Sequence, residues 1–260
     1  MHDENPLSYK DVIQYTADMT LFAFKIFAAL IIFLIALLGG LWPFLKKSVK
    51  ELDFPMGESF SAGIFLSAGL LHMLPDSARA FSDAGYHYPF AFLIAAVGFL
   101  TLLFLEHLNH SVKTHFALLT LLMLSIHSLL EGAAVGLSAS FITSFMIFIA
   151  IIAHKGAASF ALSINLNRSG LSRTALWIGF GLFALMTPLG IFAGDWVTTL
   201  TQFNDLLTPI FTALAAGTFL YIGTLHGLDR AILIRHCCNI KEFMVMLLGF
   251  SLMAVVALWT

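Results

Sequence analysis

The chain has 260 residues, of which 59% are hydrophobic and only 11% charged, against roughly 25% charged in soluble domains. A net charge of −2 argues against a nucleic-acid partner, and two cysteines, adjacent at Cys237 and Cys238, make no disulfide framework. Several apolar runs approach the 20 or so residues that a helix needs to cross a bilayer, and no alternating strand pattern competes, so the chain reads as an all-α integral membrane protein.

Eight spans are expected, at about 21–44, 57–75, 88–105, 116–138, 142–164, 174–194, 206–227 and 241–259, and they leave little room for a soluble domain: residues 1–260 read as one transmembrane unit. The polar, acidic start MHDENPLSYKDVIQ does not resemble the basic head of a cleaved leader, so the first run reads as a retained span, with Lys25 just inside it. Span two ends in HMLPDS, where His72 and Asp76 stand four residues apart. They could form an outer capture point for a cation, or be interfacial residues reaching water. The loop after span three holds His107, His110 and His115, which either bind metal loosely or are simply solvated. Span four contains IHSLLEGAAVG and span five HKGAASFAL, and these carry the polar residues discussed below. His226 and Asp229 stand at the inner end of span seven as a candidate exit point, and the following loop carries His236, Cys237 and Cys238, read as surface thiols more readily than as a metal site. Pro75, Pro188 and Pro209 are candidate bending points.

Lys and Arg concentrate in the loops after odd-numbered spans (Lys46, Lys47, Lys50, Lys113, Arg168, Arg173, Arg230, Arg235, Lys241), whereas the opposite side has Lys10 and Arg79. The positive-inside rule therefore puts both termini outside the cytoplasm of a cell membrane. Span two contains AGIFLSAGLLH (62–72) and span seven AGTFLYIGTLH (216–226), identical at seven of eleven positions. These two spans cross in opposite directions by the loop count, the pattern of inverted repeats with a substrate site near the midplane. Chance similarity between apolar segments is the alternative. Spans one to three and six to eight would then be the two halves, in a three-plus-two-plus-three arrangement around spans four and five.

His127 and Glu131 share one helix face one turn apart, with Ser128 beside them, near the middle of span four. An ionisable group at that depth costs several kcal/mol unless it is satisfied, and by default marks a substrate or ion pathway. His154 and Lys155 lie at the middle of span five, and a tight turn near Ala139 can bring them to His127 and Glu131. Gly132, Ala133, Gly136, Gly156, Ala157 and Ala158 permit close approach. Two imidazoles and a carboxylate suit a borderline divalent cation such as Zn2+, with Ser128 or water completing the shell; Fe2+, Mn2+ and Cd2+ are admitted by the same ligands. The bland alternative is that a His–Glu hydrogen bond and a Glu–Lys ion pair merely glue the helices.

At these residues the sequence resembles the ZIP family of divalent-metal importers: His127-Ser128-x-x-Glu131-Gly132 in span four, His154-Lys155 followed by Phe160-Ala161-Leu162 in span five, and His72-x-x-Pro75 in span two match its pattern over about residues 20–260. The resemblance implies eight helices, cation delivery to the cytosol, homodimers in several members, alternating access by movement of one helix bundle against the other, and no catalytic residue or cofactor. Many members hold two metals, using an acidic or amide residue after the span-five histidine and a carboxylate one turn on. Here Lys155 and Ala158 take those places, which implies a single metal, as in the subgroup that also reads HSxxEG with HK.

A single carboxylate leaves a bound dication uncompensated, and a charged Lys155 adds to that, so binding should be weak enough for release. Lys155 is expected to gate the site by pairing with Glu131 when it is empty and being displaced, or losing its proton, when metal arrives. Two rivals remain from other classes: an intramembrane zinc hydrolase acting on a lipid amide or ester, for which the only other midplane ionisable group is Lys155, and a proton-coupled exporter.

Overall fold

A chain this apolar must satisfy its backbone donors and acceptors within itself, and helices do so segment by segment. The computed structural model describes residues 9–45, 54–107, 113–197, 206–226 and 240–259, and among them the regular structure is all helical. In chain order, α1 is Tyr9–Leu45; α2 runs through Pro55–Ser67, a π-helical turn Ala68–Met73 and Leu74–Asp83; α3 is Phe90–His107, α4 Lys113–Leu137, α5 Phe141–Arg168 and α6 Arg173–Val197; α7 is Leu207–Tyr221 continued by a π-helical turn Ile222–His226; α8 is Ile240–Val256. Five segments, Met19–Leu45, Ala117–Leu137, Phe141–Arg168, Arg173–Val197 and Thr208–Leu225, are long and apolar enough to cross a membrane. Large apolar side chains such as Leu38, Trp42, Ile178, Trp196 and Leu248 are exposed around the periphery, a surface suited to hydrocarbon and not to water.

The expected boundaries shift at two places. Helix α1 begins at Tyr9, well before the apolar run, and α2 does not stop at Pro75 but continues to Asp83. A proline inside a helix lacks the N–H that bonds back one turn and its ring crowds the carbonyl there. The π turn immediately before Leu74 widens the helix where that bond would be missing, so Pro75 is absorbed without a break. Of the other candidate bending points, Pro188 sits inside a continuous α6. Pro209 lies in the first turn of α7, where its N–H would have no helical partner anyway, and it starts that helix without bending it.

Close backbone approach sorts the helices into two groups. On α4, Gly132 and Gly136 lie against Thr187, Ile191 and Asp195 of α6, while Gly190 and Gly194 of α6 lie against Leu129 and Ala133 of α4. A Cβ at any of these four glycines would collide with a carbonyl oxygen of the facing helix. Helix α1 joins them: Gly39 meets Gly156 of α5, Phe24 packs on Phe141 and Phe148, and Phe44 on Trp177 and Phe180 of α6. One end of this group is tied by Lys25, whose ammonium donates to the Gly136 carbonyl at 2.6 Å and to Asp195 at 2.6 Å. The second group is α2, α3, α7 and α8, with Gly63 of α2 against Met246 and Phe250 of α8 and Gly217 of α7 against Ala95 of α3. Contact thus mixes the two sequence halves: α1 packs with α4, α5 and α6, and α8 packs with α2.

The internal repeat has a structural counterpart. The π turns begin at equivalent repeat positions, Ala68 and Ile222, and the equivalent Phe65 and Phe219 pack edge to face with centroids 4.6 Å apart. Gly223 lies against Ala62 and Leu66, Gly69 against Ala216 and Leu220, and Ser77 donates to the Pro209 carbonyl at 2.8 Å, so α2 and α7 run antiparallel. The two copies therefore face each other in opposite senses, as the repeat predicts.

The glycine seam makes a direct prediction. Gly190→Ala should destabilise the protein by about 1–3 kcal/mol because α4 must move away, whereas Gly181, with open space around it, should accept alanine with a gain of up to ~1 kcal/mol from helix propensity. Thermal unfolding of the two variants in detergent would test the difference in sign.

Candidate metal centre

Helices α4 and α5 are joined by three residues, 138–140, so they return antiparallel and bring their midpoints together. On that shared face Glu131 Oε1 stands 2.8 Å from His127 Nε2 and 2.9 Å from His154 Nε2. One donor atom from each of the three residues lies within 4.8 Å of the others. His127 and His154 are buried, at 5% and 1% exposure, in a span where no water compensates an idle polar atom. Despite the short distances, His127 Nε2, both nitrogens of His154 and Glu131 Oε2 lack an aligned hydrogen bond. The three donor atoms converge on one point. A tetrahedral cation with bonds of about 2.0–2.1 Å fits such a donor set after a small spreading of the nitrogens from the carboxylate. The imidazoles rest on the repeat phenylalanine, with Phe219 centred 5.5 Å from His127 and 5.8 Å from His154.

Lys155 does not pair with Glu131, which corrects the gating contact expected from the sequence. Its ammonium donates to Ser128 Oγ at 2.8 Å and to Thr187 Oγ1 at 2.9 Å, and lies 4.2 Å from the centre of the Phe183 ring. The reason is the glycine seam: the backbone of α6 comes so close to α4 that Thr187 and Phe183 form a polar and aromatic seat for a fully buried lysine. Ser128 is thereby held by a donor and keeps a second lone pair.

A cavity of about 460 Å³ leads from the centre to one end of the bundle, and His72, Asp76, His127 and Glu131 all line it. At its far end His72 Nδ1 is 2.9 Å from Asp76 Oδ2, and Arg79 is 3.2 Å from Asp76 Oδ1. The two residues read from the sequence as a capture point thus share a cavity with the centre. Beyond the centre in the other direction stand Phe65 and Phe219, and then a space of about 30 Å³, enough for a water or two, bounded by Glu58, Ser61, Phe65, Asn165, Arg168 and Ile222. His226 closes the π turn of α7, whereas Asp229, His110, Cys237 and Cys238 lie outside the described residues. His107 ends α3 exposed, and His115 lies in the first turn of α4.

A model of the ZIP zinc transporter family matches residues 22–117 and 110–257. The chain belongs to the ZIP zinc transporter family. Among ZIP relatives, zinc transporter ZIP1 of Danio rerio is 31% identical over 252 residues, covering 75% of this chain and 82% of that protein. Zinc transporter ZIP2 of Mus musculus is 28% identical over 260 residues, 76% and 83% of the two chains, and zinc transporter 11 of Arabidopsis thaliana is 27% identical over 306, 99% and 91%. Membership makes the chain a multi-pass membrane transporter of divalent metal such as zinc, with the metal as substrate and no cofactor, and not an enzyme.

Sequence reading of this ZIP chain missed Thr187, Phe183 and Phe219, which complete the surroundings of the centre, and the partner of Lys25. Asp195 was legible in principle, as a carboxylate near the end of an apolar span with a buried lysine to answer it. Thr187 and Phe183 carry no such signal.

The Lys155 seat predicts unequal effects of two substitutions. Lys155→Met keeps the packing on Phe183, and the freed hydroxyls of Ser128 and Thr187 can turn to helix carbonyls, so stability should fall by no more than about 1–2 kcal/mol. Lys155→Ala leaves a cavity there, and about 2–5 kcal/mol should be lost. Thermal melts in detergent read the difference.

Proposed function

We propose that this protein carries Zn2+ into the cytoplasm of a cell, through eight membrane spans with both termini outside, by alternating exposure of one mononuclear site. His127, Glu131 and His154 hold the cation, and Ser128 or water completes the shell. The observation that carries this reading is the buried convergence of two Nε2 atoms on one carboxylate without hydrogen-bond alignment, at the end of a cavity that also reaches His72 and Asp76.

The cation arrives along that cavity. His72 and Asp76 attract it and strip part of its water, and Glu131 supplies the negative charge that makes the inner step favourable. The site then holds a dication with one carboxylate. Lys155, fixed on Ser128 and Thr187, adds a positive charge where other members of the family place a carboxylate or amide, and Ala158 offers no ligand. One metal binds, and it binds against repulsion, which keeps release fast. Lys155 acts through Ser128 and through its charge, not as a ligand. All three ligands ride on α4 and α5, in the group with α1 and α6, while His72, Asp76, Phe65 and Phe219 belong to the other group. Sliding one group past the other moves the cation from the His72 side past the two phenylalanines, toward His226 and Asp229 on the inner side.

The hydrolase reading is not favoured. A second acid or base would have to be Lys155, and its ammonium is already taken up by two hydroxyls and a ring.

Reconstitution in liposomes with a trapped zinc indicator tests the proposal. Wild type should show saturable zinc flux, and Glu131→Ala and His154→Ala should each lose at least tenfold of it; undiminished flux in either variant would remove the site. Lys155→Met should bind zinc several-fold more tightly and turn over more slowly, measured as opposite changes in apparent affinity and maximal rate. An unchanged affinity would remove the role given to the lysine.

A further inference from the structure

The two helix groups meet on the side opposite His72 through an ion pair whose place in the fold is unlike that of the other buried charges. Arg168, at the C-terminal end of α5, donates from Nη2 to Glu58 Oε1 at 2.7 Å. Glu58 lies in the first turn of α2 and is 7% exposed; the Arg168 side chain is 19% exposed. Lys25 with Asp195, and the His127–Glu131–His154 cluster, stay within the group that contains α1, α4, α5 and α6. Glu58 and Arg168 join one group to the other.

Position gives the pair its meaning. Arg168 is fourteen residues beyond His154 on α5, and Glu58 fourteen before His72 on α2, so each lies about 21 Å along its helix from those landmarks. Between the pair and the centre is the space of about 30 Å³ with Phe65 at its upper wall. Beside the pair, Phe160 of α5 packs edge to face on Phe54 and fills the room that Gly57 leaves on α2. The contact is close, with apolar side chains around it. In such surroundings splitting the pair costs each group a close, poorly hydrated charge contact, which holds the helices together until water can reach both. Once the groups slide apart, water enters and the same two groups are hydrated at little cost. The strength of the contact therefore depends on whether the inner side is shut.

We propose that Glu58 and Arg168 form the latch that closes the transporter on the side away from His72, and that this latch opens for each cation delivered. The inference rests on the alternating-access reading above. Its test uses accessibility in membrane vesicles, in a Cys237→Ser and Cys238→Ser background, with a membrane-impermeant thiol reagent. One reporter is Ala62→Cys, buried and lining the small space beside the latch; the other is Thr143→Cys, lining the large cavity on the opposite side. With the latch intact, Ala62→Cys should react slowly and Thr143→Cys quickly. Glu58→Gln or Arg168→Gln should speed labelling at Ala62→Cys at least tenfold and slow it at Thr143→Cys. The charge reversal Glu58→Arg with Arg168→Glu should restore both rates. Faster labelling at both reporters would show a general loss of fold and overturn the latch, as would unchanged rates in the single variants or no recovery in the reversal. Zinc flux is followed in the same preparations: its absence in wild type would overturn the transport reading, whereas flux with unaltered labelling would overturn the latch alone.

Discussion

The centre of this molecule depends on the placing of one carboxylate, Glu131, inside a membrane-spanning helix. Glu131 sits in a span where an isolated charge is not tolerated, and it is answered by two imidazole nitrogens from α4 and α5. Neither nitrogen is aligned to bond it, and the proposed cation would supply the charge that the three donors converge on. The rest of the structure holds that arrangement open. A three-residue turn sets the two helices side by side, and the glycine seam draws α6 against α4. That seam supplies the seat for Lys155, on Ser128 and Thr187 and not on Glu131. A lysine kept off the carboxylate is as much a condition of the site as the histidines are.

The ordering of polarity along the transport axis follows the same logic. On one side, His72, Asp76, His127 and Glu131 line a cavity large enough for a hydrated ion. On the other, aromatic rings and an ion pair border a space of only about 30 Å³. Membrane burial makes this asymmetry sharp. Where water enters, charges are cheap; where it does not, they bind their partners firmly. A conformational change that moves water from one side to the other therefore reverses which contacts are strong.

Much of this was legible in the sequence. The eight helical segments, the spacing of His127 and Glu131, the answering His154 and the repeat in α2 and α7 follow from apolar length and from the rule that ionisable groups in spans need partners. What was not legible has physical reasons. Pro75 suggests an ending because a local pattern does not reveal a π turn that absorbs a missing donor. The partner of Lys155 was misassigned because sequence spacing gives Glu131 as the nearest opposite charge, while the true partners, Ser128 and Thr187, depend on how closely α6 approaches α4. The two packing groups cut across the sequence halves because contact is decided by where small residues face each other, not by chain order.

The π turns in the repeat carry a final consequence. Each is one residue added to a helix without adding a turn, and it rotates everything beyond it by about 100° relative to an unbroken α-helix. In α2 this re-aims the segment after Met73, so that Leu74, Ser77 and Phe81 continue the buried face while His72 and Asp76 are left on the cavity. The matching turn in α7 occurs at the equivalent residue of a helix running the other way. Helix phase is therefore decisive here, and loss of one of Ala68, Gly69, Leu70 or Leu71 would rotate the stretch that carries His72 and Asp76 by about 100° about the helix axis with both side chains intact.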